Sequence, residues 1–199
     1  MIDLIKKVLP DTVEVEGETF QVQTDFQYWL RFGLMLRNKE LKFVDDANFL
    51  YKGKIVHSYP NPLTLIPGEL PSNKEKGIQA LIDFYQPKKE IPRATKNQSS
   101  RILVDFEIDA DIIYASFYEQ YRIDLLDPGL HLHWYKFNAL FDSLHDTKIN
   151  EIMSYRAYDA TSHYDYNKQM QELQQAWEII PPLTEEEQKA LDEFDSLLK

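Results

Sequence analysis

The sequence predicts a mainly α-helical fold: a helical bundle with a small N-terminal β-hairpin as its minor β component. Three observations predict it. Phe106, Ala110, Ile113, Phe117 and Tyr121 step by four, three, four and four, the spacing of an amphipathic helix. Cap and stop signals such as Asp127-Pro128 and Pro181-Pro182 divide the second half into helix-sized pieces. Apolar and polar residues alternate around Gly17 in Val13–Val22, a hairpin signal.

After the hairpin, Thr24 followed by Gln27 has the pattern of a capping box, and the helix it opens is expected to run to about Asn38. Phe26, Trp29, Leu30, Phe32, Met35 and Leu36 occupy more than one face of that helix, so it is deeply buried or shared with a partner. Tyr51–Val56 reads as a small second hairpin, after which Pro60, Pro62, Pro67 and Pro71 break regular structure. Ser72 is expected to cap a helix ending near Phe84 or Tyr85, with Ile78, Leu81, Ile82 and Tyr85 on one side. Asp127-Pro128 reads as an N-cap followed by Pro at the first helical position, opening a helix with Leu130, Trp134, Phe137, Phe141 and Leu144 on one stripe. Asp146 is expected to cap the next helix, with Ile149, Ile152 and Met153 inward. A further helix spans about Tyr164–Ile179, carrying Met170, Leu173 and Trp177, and Thr184–Glu187 opens a terminal one with Leu191, Phe194 and Leu198.

These elements group into four regions. Residues 1–86 make a hairpin-plus-helix region with an irregular insertion, 87–101 a linker, 102–180 the helical core and 181–199 a capped C-terminal helix. The linker holds Lys88, Lys89, Arg93 and Lys96 and is expected to be mobile, because its low hydrophobicity cannot offset the entropy of ordering. The four regions are expected to form one compact domain, within reach of a 199-residue chain that is 43% hydrophobic.

Composition excludes several classes of function. The chain has no cysteine, which removes disulfides, thiol catalysis and cysteine zinc sites. No apolar run approaches the about 20 residues of a membrane span, and the first 17 residues lack the apolar core of a signal peptide. Acids outnumber bases 33 to 22, a net charge of −11, which opposes binding to bare nucleic acid and favours solubility.

The candidate chemistry fails on spacing. Asp105, Glu107, Asp109 and Asp111 suggest a calcium loop, but counting from Asp105 the required Gly and Glu positions hold Ala110 and Ser116; counting from Glu107 they hold Ile112 and Tyr118. The acids are therefore expected to decorate a helix N-terminus. His131 and His133 lie two apart, on nearly opposite sides of the helix expected there, and His57, His145 and His163 are scattered, so each is assigned a structural role. The six glycines do not cluster as a phosphate-cradling loop requires, and there is no nucleophile elbow. Ser116 and Ser154 fall mid-helix with no His in sequence reach. The chain is read as non-enzymatic, with no cofactor and no metal.

What remains is a surplus of rings: 3 Trp, 12 Tyr and 11 Phe. Aromatics at helical spacing are usually core, but Tyr and Trp are also enriched where one protein meets another. Trp29, Tyr118, Trp134, Tyr135 and Trp177 are the candidates for partner binding.

The runs Ile102–Leu125, Leu130–Leu144 and Thr147–Asp159, with their Asp105-Phe106-Glu107, Tyr114-Ala115-Ser116-Phe117, Leu132-His133-Trp134 and Ile152-Met153 pieces, resemble the bacteriophage gp-fifteen family. Members are small proteins of long-tailed phages and prophages of Gram-positive bacteria. The hairpin followed by Thr24-Asp25-Phe26 and Trp29 is similar to that family's opening, so the likeness covers about Val13–Asn38 and Ile102–Asp159. It implies a tail-assembly chaperone in the cytoplasm of the bacterial host, with the tape-measure protein and other tail proteins as partners. Coating a long helix repeatedly implies a homo-oligomer, with helix-in-groove recognition as the physical mode. The alternatives are a structural tail or connector component of the virion, and an acidic decoy that inhibits a host enzyme. The chain departs from the family pattern at Arg122, where a Gly is expected, across the longer, more strand-like Lys42–Leu70, and in the extension Thr184–Lys199.

Overall fold

The computed structural model of the chain describes residues 8–37, 42–45, 48–51, 54–56, 62–86, 101–159 and 164–180. Mainly α architecture with a small β component is what it shows. Strands β1 (Thr12–Val15) and β2 (Glu18–Gln21) form an antiparallel hairpin in which Val13 pairs with Phe20. Glu16 and Gly17 between them both have positive φ, 54° and 87°, the turn whose twist matches paired strands. Helix α1 (Phe26–Arg37) follows. Strands β3 (Lys42–Asp45), β4 (Asn48–Tyr51) and β5 (Lys54–Val56) form a three-stranded antiparallel sheet. The hairpin expected at Tyr51–Val56 is thus the end of a larger unit; β3 has no Gly or Pro beside it to announce it. A 3-10 turn (Pro62–Leu65) leads to helix α2 (Lys74–Tyr85), and helices α3 (Ala110–Tyr121), α4 (Trp134–Asp142), α5 (Lys148–Arg156) and α6 (Tyr164–Ala176) complete the order.

Helix starts differ from the sequence expectation by one residue in three places and by six in a fourth. Asp25, not Thr24, supplies the carboxylate that accepts from Gln27 N at 3.0 Å. Asn73, not Ser72, caps α2, its side-chain oxygen accepting from Lys76 N at 3.1 Å. Thr147, not Asp146, caps α5, and its backbone N–H and hydroxyl both donate to the Asn150 side chain. The larger correction is at Asp127-Pro128. No helix starts there: the Asp127 carboxylate accepts from Gly129 N at 2.8 Å and its carbonyl accepts from Leu130 N, closing a local turn. Such side-chain turns compete with helix for the same residue type. Helix α4 begins at Trp134, with His133 as its cap.

The segments leading into α1 and α4 hold one another. Phe26 N donates to Leu132 O at 2.9 Å and Trp134 N to Thr24 O at 2.7 Å, forming an antiparallel bridge between Asp25 and His133. Two amides at helix N-termini, which lack partners within their own helices, are satisfied at once. The bridge sets α1 against α4, and the rings between them stack: Phe26 on Phe137 at 4.8 Å, Trp29 on Phe84 at 4.7 Å, and Tyr85 on Trp134 at 5.1 Å. Phe117 of α3 adds a face on Phe137 at 5.2 Å. One hydrophobic cluster runs from Val13 in the hairpin to Ile149 in α5.

The Tyr85 side chain of α2 lies over Gly33 of α1. A methyl group there would lie 2.9 Å from Tyr85 Cζ and closer still to its hydroxyl. Gly33→Ala is expected to lower stability by about 1–3 kcal/mol through overpacking. Tyr85→Phe in the same chain should restore part of the loss by removing the nearest atom; chemical denaturation of the three variants checks both.

Candidate interaction surface

The carboxylates gather at the N-terminus of α3, as expected, with Asp109 at the N-cap and Asp111 in the first turn, and two of them, Asp105 and Asp109, also build its mount. Asp105 accepts from Glu107 N at 2.8 Å and Ile108 N at 3.1 Å, folding the chain into the turn that starts the helix. Its burial raises its pKa, but those amides and the Arg37 guanidinium at 2.8 Å outweigh this and hold it below the usual carboxylate range. Asp109 is buried. It accepts from Asp105 N at 2.9 Å and pairs in two-pronged fashion with Arg156, at 2.7 and 2.9 Å. Arg156, also buried, donates further to Leu103 O at 2.9 Å and Trp177 O at 2.6 Å. One guanidinium therefore ties together the extended segment before α3, the start of α3, the end of α5 and the residue after α6. Glu107 and Asp111 point to solvent. Among the described residues no group of three or more His, Asp or Glu is placed to hold a metal ion.

The other end of α3 is fixed as well. Arg122 adopts the left-handed conformation, φ 56° and ψ 29°, and its amide donates to Tyr118 O at 3.1 Å. This is the C-cap geometry that glycine usually supplies. The departure from the family pattern thus leaves the helix end capped in glycine fashion. Its guanidinium lies 5.9 Å over the Tyr118 ring, a contact that glycine cannot make.

The five candidate partner-binding aromatics separate. Trp29 (0% exposed), Trp134 and Tyr135 lie inside the core, where a partner reaches them only by opening the fold. Their polar tips are engaged too. Trp29 Nε1 donates to Gln23 O at 2.7 Å, Trp134 Nε1 to Tyr85 O at 3.1 Å and Tyr135 Oη to Phe84 O at 3.0 Å. Burial pushes the Tyr135 phenol up to about 12. Trp177 is half-buried with Lys148 Nζ 5.8 Å over its ring. Tyr118 is on the surface at 48% exposure, its ring stacked on Tyr114. Around it the sequence reading missed Ile108 at 61% exposure and Leu126 at 76%.

The histidines and serines are held structurally where they are described. His133 Nδ1 accepts from Tyr135 N at 3.0 Å, so its Nε2 carries the proton and donates to Pro10 O at 2.9 Å. His145 N donates to Gln120 Oε1 at 3.1 Å, linking α3 to the end of α4, and His131 is exposed. Ser116 is buried, and Ser154 Oγ donates to Glu151 O at 2.6 Å. His57, His163, the linker expected at 87–101 up to residue 100 and the helix expected at Thr184–Lys199 lie outside the described residues.

The family model described as Bacteriophage Gp15 protein matches residues 5–180. No curated protein and no solved structure matches the chain.

Two outcomes follow from this mounting. Arg156→Met leaves the Asp109 charge buried and strips two carbonyls of their donor, so a loss of about 3–5 kcal/mol is expected, measured by urea unfolding. Asp109→Asn in the same chain should cost less than the sum of the two single changes. The second concerns acid. Burial, with Lys136 nearby, outweighs Pro10 O and Asp11 and holds the His133 pKa below its ordinary 6.5. The unfolded chain therefore takes up the proton first, and stability falls as pH drops below that value. Melting from about pH 7.5 to about pH 5.5 should show this loss, and His133→Gln should flatten it.

Proposed function

Because the chain belongs to the Bacteriophage Gp15 protein family, we propose that it is a tail-assembly chaperone. In this reading it binds the tape-measure protein, self-associates, and acts in the cytoplasm of the host without catalysing a reaction. The observation that carries the reading is the outer face of α3. It leaves Tyr118 in water on a helix fixed at both ends, with exposed Ile108 in the turn before it and exposed Leu126 in the loop after it. Apolar groups on a rigid support lose little entropy when a partner covers them. The buried ion pair and ring tips of this region are committed to the fold, Asp109 and Arg156 to each other and the Trp and Tyr tips to backbone carbonyls, while the buried Ser116 hydroxyl has no hydrogen-bond partner. That pattern supports binding over chemistry.

A second reading is compatible with the same core. Trp29, Trp134 and Tyr135 fill the core rather than a surface, which suits a permanent structural component of the tail or connector. The two readings differ in where the protein ends up. A chaperone is expected in infected-cell lysates and absent from purified virions; a structural component is expected in both.

Co-expression tests the chaperone reading directly. The tape-measure product should remain soluble with this protein and precipitate without it, and equal precipitation in both cases removes the reading. Light scattering after size exclusion should show multimers; a monomer from micromolar to millimolar concentration removes self-coating.

A further inference from the structure

We infer that the outer face of α3 is a docking strip for a basic amphipathic helix of a partner protein. The inference deepens the chaperone reading by assigning a surface and a partner chemistry to it. Exposed Asp111, Ala115 and Tyr118 step by four and three along α3, with exposed Ile108 in the turn before the helix and exposed Arg122 at its C-cap. All five are exposed, whereas Ile113 and Phe117 on the opposite side are buried. The stripe widens sideways. The Tyr114 ring stacks on Tyr118 at 6.3 Å, and the left-handed Arg122 turns the chain back along the helix. Asp124 then lies against the Tyr114 phenol and accepts from Leu126 N at 2.9 Å. Leu126, at 76% exposure, is thereby tied to the carboxylate that meets Tyr114 of α3.

The result is an exposed strip whose large apolar groups are Ile108 at one end and Tyr118, Tyr114 and Leu126 toward the other, with Asp111 and Ala115 between them. Twelve residues of helix span about 18 Å, the length of three turns of an opposing helix. Isolated exposed apolar residues are ordinary, but a contiguous strip on a rigid element marks an interaction site. Charge selects the occupant. Glu107, Glu119, Asp124 and Asp127 lie alongside these residues in the sequence and Asp111 lies within the strip, all exposed, with Arg122 at its end. In a chain of net charge −11, an acidic or neutral helix gains nothing from this rim. A helix with Lys or Arg flanking its apolar face gains both steering and register. The occupant is therefore a cationic amphipathic segment.

The probe is a labelled synthetic helix of about 14 residues, Leu on one face and Lys on the other, titrated into the full chain by fluorescence anisotropy. A peptide with Glu in place of Lys is the control. The Lys peptide should bind more weakly as salt rises, and the Glu peptide should not bind. Tyr118→Ser and Leu126→Ser should each weaken binding about tenfold or more, and Glu119→Gln should lessen the salt dependence. Both apolar side chains are exposed, so the variants should keep the wild-type circular dichroism and melting.

Equal binding of the two peptides overturns the proposal, as does an affinity unchanged in the Tyr118→Ser/Leu126→Ser chain. A change in oligomer size in that variant without a change in peptide affinity assigns the strip to a second copy and also overturns it. The chaperone reading fails separately. If the tape-measure product is soluble with wild type and double variant alike, that reading stands and this strip is removed. If neither keeps it soluble while the Lys peptide still binds here, the strip stands and the tail reading is removed.

Discussion

Four residues set the geometry on which the rest of the fold depends. The hydrogen bonds Phe26 N to Leu132 O and Trp134 N to Thr24 O join segments more than a hundred positions apart in the chain. They make α1 and α4 begin side by side. Everything aromatic in the core follows from that placement. Phe26 faces Phe137, Trp29 faces Trp134, and α2 inserts Phe84 and Tyr85 alongside them. Each stacked pair adds about 0.5–1.5 kcal/mol beyond burial of its area. The rings also close the ends of helices. The carbonyls of Phe84 and Tyr85 lie in the last turn of α2 and have no N–H donors further along it; the Tyr135 hydroxyl and Trp134 indole donate to them instead. This explains why the core uses Trp and Tyr where Phe or Leu would fill the same space. A purely apolar side chain packs equally well but leaves those carbonyls dry and unbonded.

A second constraint governs α3. Burying a carboxylate and a guanidinium costs several kcal/mol per ion before any attraction is counted. Asp109 and Arg156 offset this with two mutual hydrogen bonds and three further bonds to the backbone at Asp105, Leu103 and Trp177. The geometric consequence matters more than the net energy. A guanidinium offers a planar fork of donors in fixed directions, so the segments bound to it are held in orientation as well as distance. Lysine at this position would satisfy the charge and lose the fork. The start of α3 is consequently as rigid as the core behind it, although its other face meets water.

Much of this was legible in the sequence, and the parts that were not share a physical cause. Helical spacing located α3, α5 and α6, and alternation located β1 and β2, because each of those elements turns one face at least partly away from water. The helix expected at Asp127 failed because an Asp-Pro-Gly sequence serves a side-chain turn as readily as a helix start, and only the bridge to Thr24 decides that α4 waits until Trp134. The buried ion pair had a readable signal. Ile149, Ile152 and Arg156 fall on one stripe, as do Asp109, Ile113 and Phe117. A charge on an otherwise apolar stripe points to an opposite charge buried with it. Ile108 and Leu126 had no such signal, since nothing in a lone apolar residue beside a helix says whether it turns inward.

The division of the aromatics bears on function more than their number does. A chain rich in Trp and Tyr invites the view that its rings await a partner, yet Trp29, Trp134 and Tyr135 are needed to hold three helices in register. Recruiting them for binding would dissolve the scaffold that presents the binding face. Tyr118 is free of that duty: its ring touches Tyr114 and Arg122, both on its own helix or its cap. Binding surface and core are thus separated by the two sides of α3, with Phe117 facing in and Tyr118 facing out one residue later. A helix so anchored can exchange its outer contacts without disturbing the inner ones, as the proposed chaperone role would need.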